Sequence, residues 1–338
     1  MSKNSEQNGN HAVKRRVRMD RVAVVVIPLL LIIILIVFLC LSSCEQEDDT
    51  ETEVASDSVT DTEISTDEET EAEAAAEDTT EEEEVDTATS VTFPETVSEG
   101  DLILINEDNL YDFSEGEDNL VYVYEHVNSS YSVSDWEMRL DADTVTQVNA
   151  MMEAYEAATG YSNLEIFSGY RTSEEQAELY EAGSTTFPGG TSDFHSGRTF
   201  NLKINFTDGS SDYYNTEKYP DYVWIEENAA SYGFIVRYPE GKEDLTGETS
   251  RAYTYRYVGV PHATYMYEND LCLEEYLELV QEYTQDATLD ITVDDTVYHV
   301  FYVSASDAEE GVELDASWYS VSGDNMDGYV IAYLDLDA

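Results

Sequence analysis

The chain has 338 residues and a formal net charge of −59, a balance that argues against nucleic acid or anionic lipid as a partner of its general surface. Three cysteines are too few for a disulfide framework. Length alone allows two domains, but the first hundred residues or so lack a globular pattern, which leaves one domain of ordinary size and room for a small appendage.

Residues 1–21 read as a basic cytoplasmic tail, with six Lys/Arg against Glu6 and Asp20 in the first 44 residues. Residues 22–43 contain "VAVVVIPLLLIIILIVFLCL", an uncharged run long enough to cross about 30 Å of hydrocarbon as a helix. The basic residues before it place the N-terminus in the cytoplasm and the rest of the chain outside, as a single-pass cell-membrane protein. The run exceeds the roughly 7–15 apolar residues of a signal peptide, so a retained anchor is expected. The alternative is a lipoprotein-type signal, because "LSSC" ending at Cys44 resembles the site at which lipoprotein precursors are cut and lipidated. Residues 45–100 carry 23 Asp/Glu and no Lys or Arg, and self-repulsion with low hydrophobicity predicts a disordered acidic linker.

From residue 101 the pattern is mixed. "DLILIN" predicts a strand and "LVYVYEHV" another, or an extended connection. Val145, Val148, Met152 and Tyr155 have helical spacing in "DTVTQVNAMMEAYEAATG", with Gly160 as the stop. "LEIFSGYR" is a strand leading into the helix "TSEEQAELYEAG", which carries a Thr172–Glu175 capping box and ends at Gly183. "DYVWIEENAASYG" predicts a third helix before the strand "FIVRY", and "LEEYLELVQEY" a fourth. From residue 288 the alternation in "LDITVDDTVYHVFYVSA" and "SWYSVSGDNMDGYVIAYLDL" predicts a β-rich extension over 288–338. Cys272 reads as an inert, half-buried thiol.

Four pieces within residues 101–285, "SGYRTSEEQAELY", "GGTSDFHSGRTFNL", "YGFIVRYPEGKEDLTG" and "RAYTYRYVGVPHA", together resemble the VanY-type zinc D-alanyl-D-alanine carboxypeptidases, which trim the stem peptide of bacterial cell wall. The resemblance implies an α+β fold of the hedgehog/DD-peptidase kind, with the β extension as a small C-terminal appendage. It also implies a motif S-x-H-x-x-G-x-x-x-D, whose His and Asp bind zinc, and a later E-P-W-H, whose Glu activates water and whose His completes the metal site. Three ligands and an open position would make a catalytic zinc.

Anchored on Ser192 and Gly197, the first two ligand positions hold Phe194 and Asn201. Anchored on "RYVG" at 256–259, the base position holds Arg251 and the last ligand position Thr254. None of the four can perform its family role, so no zinc and no catalytic residue is expected. A relocated metal site built from His195, His262 and Asp193 is the alternative; otherwise His195 reads as a surface or loop imidazole.

The pocket is expected to remain hospitable to an anion, because Asn201 and Arg251 without metal leave it net positive. Seven of the nine Lys/Arg after residue 100 fall in the four resembling segments or, for Lys203, directly after one: Arg171, Arg198, Lys203, Arg237, Lys242, Arg251 and Arg256. That clustering predicts a cationic cleft, although Arg237 and Arg256 also read as structural ion-pair partners. Substrate-binding candidates are Arg171, Arg251, Arg198, Gln176 and Tyr253; a guanidinium suits a terminal carboxylate, which it grips with two hydrogen bonds. Expected partners are the peptidoglycan stem peptide or an extracellular protein. The functional expectations are therefore an inactive peptide-binding member of the family, an active carboxypeptidase with relocated ligands, or a structural display module on an acidic stalk.

Overall fold

The computed structural model describes residues 88–336. The basic tail, the apolar run, Cys40, Cys44 and the acidic segment up to residue 87 lie outside the described residues. Among the described residues no helix is long and apolar enough to cross a membrane.

The central sheet runs β3 (Ser132–Val133), β5 (Leu164–Ser168), β6 (Thr199–Asn205), β9 (Arg251–Tyr257), β8 (Phe234–Tyr238), with β7 (Ser211–Tyr213) also beside β6. Only the β3–β5 pairing is parallel. A two-stranded ribbon of β2 (Leu120–Tyr122) and β4 (Arg139–Asp141) stands apart from it.

Helix α1 (Ala142–Thr159) begins where the Asp141 carboxylate accepts from the Asp143 and Thr144 amides and ends at Gly160, φ 74°. Its buried face contains the four residues whose spacing predicted it, packed on Leu164, Ile166, Phe200, Leu202 and Ile204 of the sheet. Side chains alternate along a strand. Phe200 and Leu202 therefore face this core, while Asn201 and Lys203 point to the other side, as does Thr254 opposite Asn201. The sheet thus has a core face and a site face.

Helix α2 (Ser173–Glu181) has the expected capping box, with Thr172 Oγ1 accepting from the Glu175 amide and the Glu175 carboxylate accepting from the Thr172 amide. Two further helices, α3 (Val260–Glu268) and α4 (Leu273–Val280), carry a second core. Leu273, Tyr276, Leu277 and Val280 are buried on one face of α4, each stabilising by about 1.5–3 kcal/mol relative to exposure. They share that core with Leu289, Ile291, Val300, Val330 and Ala332 of a C-terminal antiparallel sheet. Its order is β10 (Leu289–Val293), β11 (Thr296–Ser304), β14 (Gly328–Asp335), β13 (Ala316–Gly323). The β-rich extension therefore exists, and it shares a core with the helices that precede it.

Several expectations are corrected. The acidic linker does not reach residue 100. β1 (Thr89–Ser90) pairs with β12 (Glu313–Leu314), Val91 joins Phe301 and Ile331 in a third core, and Val97 and Glu99 accept from the Asn325 and Gly323 amides. "DLILIN" is buried but forms no strand: Arg256 Nη2 donates to the Asp101 and Ile103 carbonyls, and Asp324 O accepts from the Leu104 amide. The second half of "LVYVYEHV" is a helical turn, Val123–His126. The third helix is broken into 3-10, α and 3-10 turns over Pro220–Tyr232. Cys272 is fully buried rather than half-buried, and burial pushes its thiol up to about 12, so it stays an unreactive thiol.

Candidate functional site

The four positions picked out by the motif register, Phe194, Asn201, Arg251 and Thr254, come from three places: the 3-10 turn Asp193–Ser196, strand β6 and strand β9. The turn ends at Gly197, φ 70°, where an added Cβ would stand 2.5 Å from Leu120 Cδ2, which explains a glycine there. Asn201 and Thr254 are direct partners in the β6–β9 register, and Thr254 Oγ1 donates to Asn201 Oδ1 at 2.7 Å. Both are buried. Phe194 is buried as well, and the Arg171 guanidinium carbon lies 4.2 Å above its ring, a cation–π contact.

Arg171 leaves the end of β5 and is held by neutral groups. Its Nη2 donates to Ser168 Oγ at 2.6 Å and its Nη1 to Gln176 Oε1 at 3.1 Å. Gln176 is itself fully buried and fixed by Nε2 donating to Phe187 O at 2.8 Å. Burial, and after it the charge of Arg251, pulls the Arg171 pKa down; a guanidinium nevertheless stays protonated. Arg251 pairs with Glu248 and faces the rings of Phe187 and Tyr238 at 5.7 and 5.6 Å. Tyr253 stacks on Tyr213 with centroids 4.7 Å apart, and with Arg251 it lines a cleft of about 330 Å³. Ser168, Phe187, Tyr213, Tyr238 and Glu248 were not anticipated. Ser168 stood beside Arg171 in "SGYR", and Glu248 three residues before Arg251, but neither spacing revealed its partner.

The cationic cleft is narrower than the clustering suggested. Asp193 is completely buried, with Arg256 Nη1 at 2.6 Å and Arg237 Nε at 3.2 Å from Oδ1, and it also accepts from Thr199 Oγ1. Burial alone would raise the Asp193 pKa; Arg256 and then Arg237 override it and hold the carboxyl below its ordinary value. Arg237 also grips Glu274 with both terminal nitrogens, at 2.8 and 3.1 Å. Lys203 pairs with Glu165, and Lys242 with Glu275. Arg198 bonds Asp101 at 2.7 Å and lines a different cleft, with Asp141 and Ser196, so it is not brought to Arg171. Of the nine Lys/Arg among the described residues, eight have a carboxylate within ion-pair distance. Arg171 is the ninth.

His195 is not a surface imidazole. It is fully buried, Nδ1–H donates to the Arg171 carbonyl at 2.7 Å, and Nε2 accepts from the Gly190 amide at 3.0 Å. Burial lowers its pKa and keeps it neutral. His262 lies on α3 with Nδ1 2.6 Å from the Tyr276 hydroxyl. With Asp193 bound by two arginines, the relocated metal set is not assembled. Among the described residues no group of three or more His, Cys, Asp or Glu side chains is placed to hold a metal ion. The residues that the motif register places at the ligand positions do not fit zinc either. Phe194 has no donor atom, and the Thr254 hydroxyl and Asn201 amide are neutral and bonded to each other, whereas zinc takes thiolate, imidazole or carboxylate.

The sequence model of the VanY D-alanyl-D-alanine carboxypeptidases matches residues 137–260. A D-alanyl-D-alanine carboxypeptidase of Enterococcus faecium is 30% identical over 241 residues, 70% of this chain and 76% of that one. A second, from Enterococcus faecalis, is 33% identical over 131 residues, 33% of this chain and 46% of the relative. The crystal structure of the vancomycin-resistance D,D-dipeptidase VanXYg with a D-Ala-D-Ala phosphinate analogue superposes with a TM-score of 0.60 at 23% identity, covering 73% of this chain and 99% of that one. That likeness shows the α/β peptidase fold, and the extent of the E. faecium match shows the kinship: the chain belongs to the VanY D-alanyl-D-alanine carboxypeptidase family.

Proposed function

We propose that this protein is a membrane-anchored, extracytoplasmic member of the family that has lost hydrolysis and binds the carboxylate end of a cell-wall stem peptide. The observation that carries this reading is Arg171. It is a half-buried guanidinium without a carboxylate partner among the described residues, held by Ser168 and Gln176 above Phe194. Its surroundings already satisfy the neutral side of its hydrogen bonding, and a ligand carboxylate would supply the missing charge. Arg251 and Tyr253 would flank the bound peptide. Arg251 cannot remove a proton from water, and without a metal the Phe194, Asn201 and Thr254 positions give water no activation. The uncharged run at 22–41, preceded by basic residues, supports the anchor, with lipidation at Cys44 as the variant form.

The test is calorimetric titration of the full chain, in detergent, with an acyl-D-Ala-D-Ala peptide and its C-terminal amide. Saturable binding of the acid only, weakened roughly 30-fold in Arg171→Ala, is expected; equal binding of acid and amide contradicts the proposal. The names of the relatives favour a second reading, an active D,D-carboxypeptidase, which predicts consumption of the same peptide. A display module predicts no binding at all.

A further inference from the structure

A second cleft, of about 340 Å³, opens where the Val258–His262 corner at the start of α3 meets β13 of the C-terminal sheet. That is near the lower end of the roughly 300–1,000 Å³ typical of small-molecule sites. Neither Arg171 nor any of the four substituted positions lines it.

Part of the lining is aromatic. Trp318 on β13, 42% exposed, stands edge-to-face with Tyr298 on β11 at 5.8 Å between ring centroids, and Tyr257 adds a third ring. The rest includes Asp101, Ser320 and His262. His262 is only 5% exposed, and the Tyr276 hydroxyl at its Nδ1 has no other hydrogen-bond partner among the described residues. The hydroxyl therefore donates to Nδ1, which fixes the neutral imidazole with its proton on Nε2. Cδ2, bonded to Nε2, lies 3.5 Å from where a Cβ on Gly259 would stand, and Gly259 is itself in the lining. The Nε2–H has no hydrogen-bond partner among the described residues and is not among their sealed, unpartnered polar atoms, so it is left open to an acceptor.

The lining carries no unbalanced charge. Asp101 Oδ1 accepts from Arg198 Nε at 2.7 Å, and His262 is held neutral by burial. A ligand cation or anion would find no free counter-charge here. Open aromatic rings, one N–H donor and a serine hydroxyl suit an uncharged ring that has an apolar C–H face and oxygen acceptors at its edge. We propose that this cleft binds a neutral hexopyranoside, its C–H face on Trp318 and one hydroxyl or acetamido oxygen accepting from His262 Nε2–H.

The test titrates the full chain, solubilised in a detergent without sugar head groups, with chitotriose and with cellotriose. Calorimetry follows affinity and ¹H–¹⁵N spectra follow the His262 ring. Saturable binding of at least one sugar with a shift of the His262 Nε2 signal is expected, at least ten-fold weaker in Trp318→Ala and unchanged in Arg171→Ala. No saturable binding of either sugar overturns the proposal. So does binding that survives Trp318→Ala, leaves His262 unshifted, or is lost in Arg171→Ala. If Trp318→Ala does not fold, the His262 shift in the unsubstituted protein decides. Failure here leaves the peptide pocket untouched, because the two clefts share no lining residue used in either argument.

Discussion

Thr254 Oγ1 donates to Asn201 Oδ1 at 2.7 Å across the β6–β9 pair, so the two positions that the motif register assigns to metal ligands satisfy each other. Residues directly opposite on one sheet face have Cβ atoms about 4.5–5.5 Å apart, close enough for two side chains to share one metal. The triple variant Phe194→His, Asn201→Asp, Thr254→His is expected to gain stoichiometric zinc by metal analysis after dialysis. A triple variant that folds and takes up no zinc would mean that the motif register is misplaced.

Arg171→Ala removes the cation that we assign to the ligand carboxylate. A charge-assisted hydrogen bond contributes about 2 kcal/mol, so peptide affinity should fall roughly 30-fold. Arg171→Lys should recover only part of it, because an ammonium cannot reproduce the two-pronged grip. An affinity unchanged in Arg171→Ala would remove the central residue of the proposed pocket.

Asp193 holds two buried arginines, and Asp193→Asn leaves Arg256 and part of Arg237 without their counter-charge. Breaking a buried pair from one side costs about 3–5 kcal/mol, measurable by urea unfolding. The Asp193 pKa is lowered in the folded state. Its contribution is therefore complete above the unfolded value of 3.8 and is lost as pH falls through the folded value. A variant as stable as the parent at pH 7 would show that the network is not a stabilising unit.

His262 works in the same direction at higher pH. Burial lowers its pKa from 6.5 to about 4, so the folded state resists the proton that the unfolded state accepts. Stability is complete above pH 6.5 and falls by about 3 kcal/mol as pH drops to 4. His262→Gln should flatten that part of the stability curve relative to the parent; an identical slope would contradict the assignment.

Local signals carried much of the fold. The spacing of Val145, Val148, Met152 and Tyr155 gave α1, and Thr172 with Glu175 gave the start of α2. What failed was non-local. "DLILIN" has the composition of a strand, but its carbonyls meet Arg256, more than 150 residues away. Val91 is buried by strands from the far end of the chain. Helix α3 was missed because Val260, Thr264 and Tyr265 are β-formers whose preference packing overrode. At the site, two motifs separated by some fifty residues hold Asn201 and Thr254, which the strands bring face to face. The ion-pair reading of Arg237 and Arg256 held, but their partners could not be read, since Asp193–Arg237 and Arg237–Glu274 join separate elements.

The central claim is that a family scaffold has kept its peptide pocket without its hydrolytic centre, and zinc content measured together with D-alanine release tests it most directly. The full chain, incubated with zinc and an acyl-D-Ala-D-Ala peptide, should retain no stoichiometric metal and release no D-alanine above the blank. Zinc-dependent release at an ordinary enzymatic turnover, on the order of 1 s⁻¹ or faster, would contradict it.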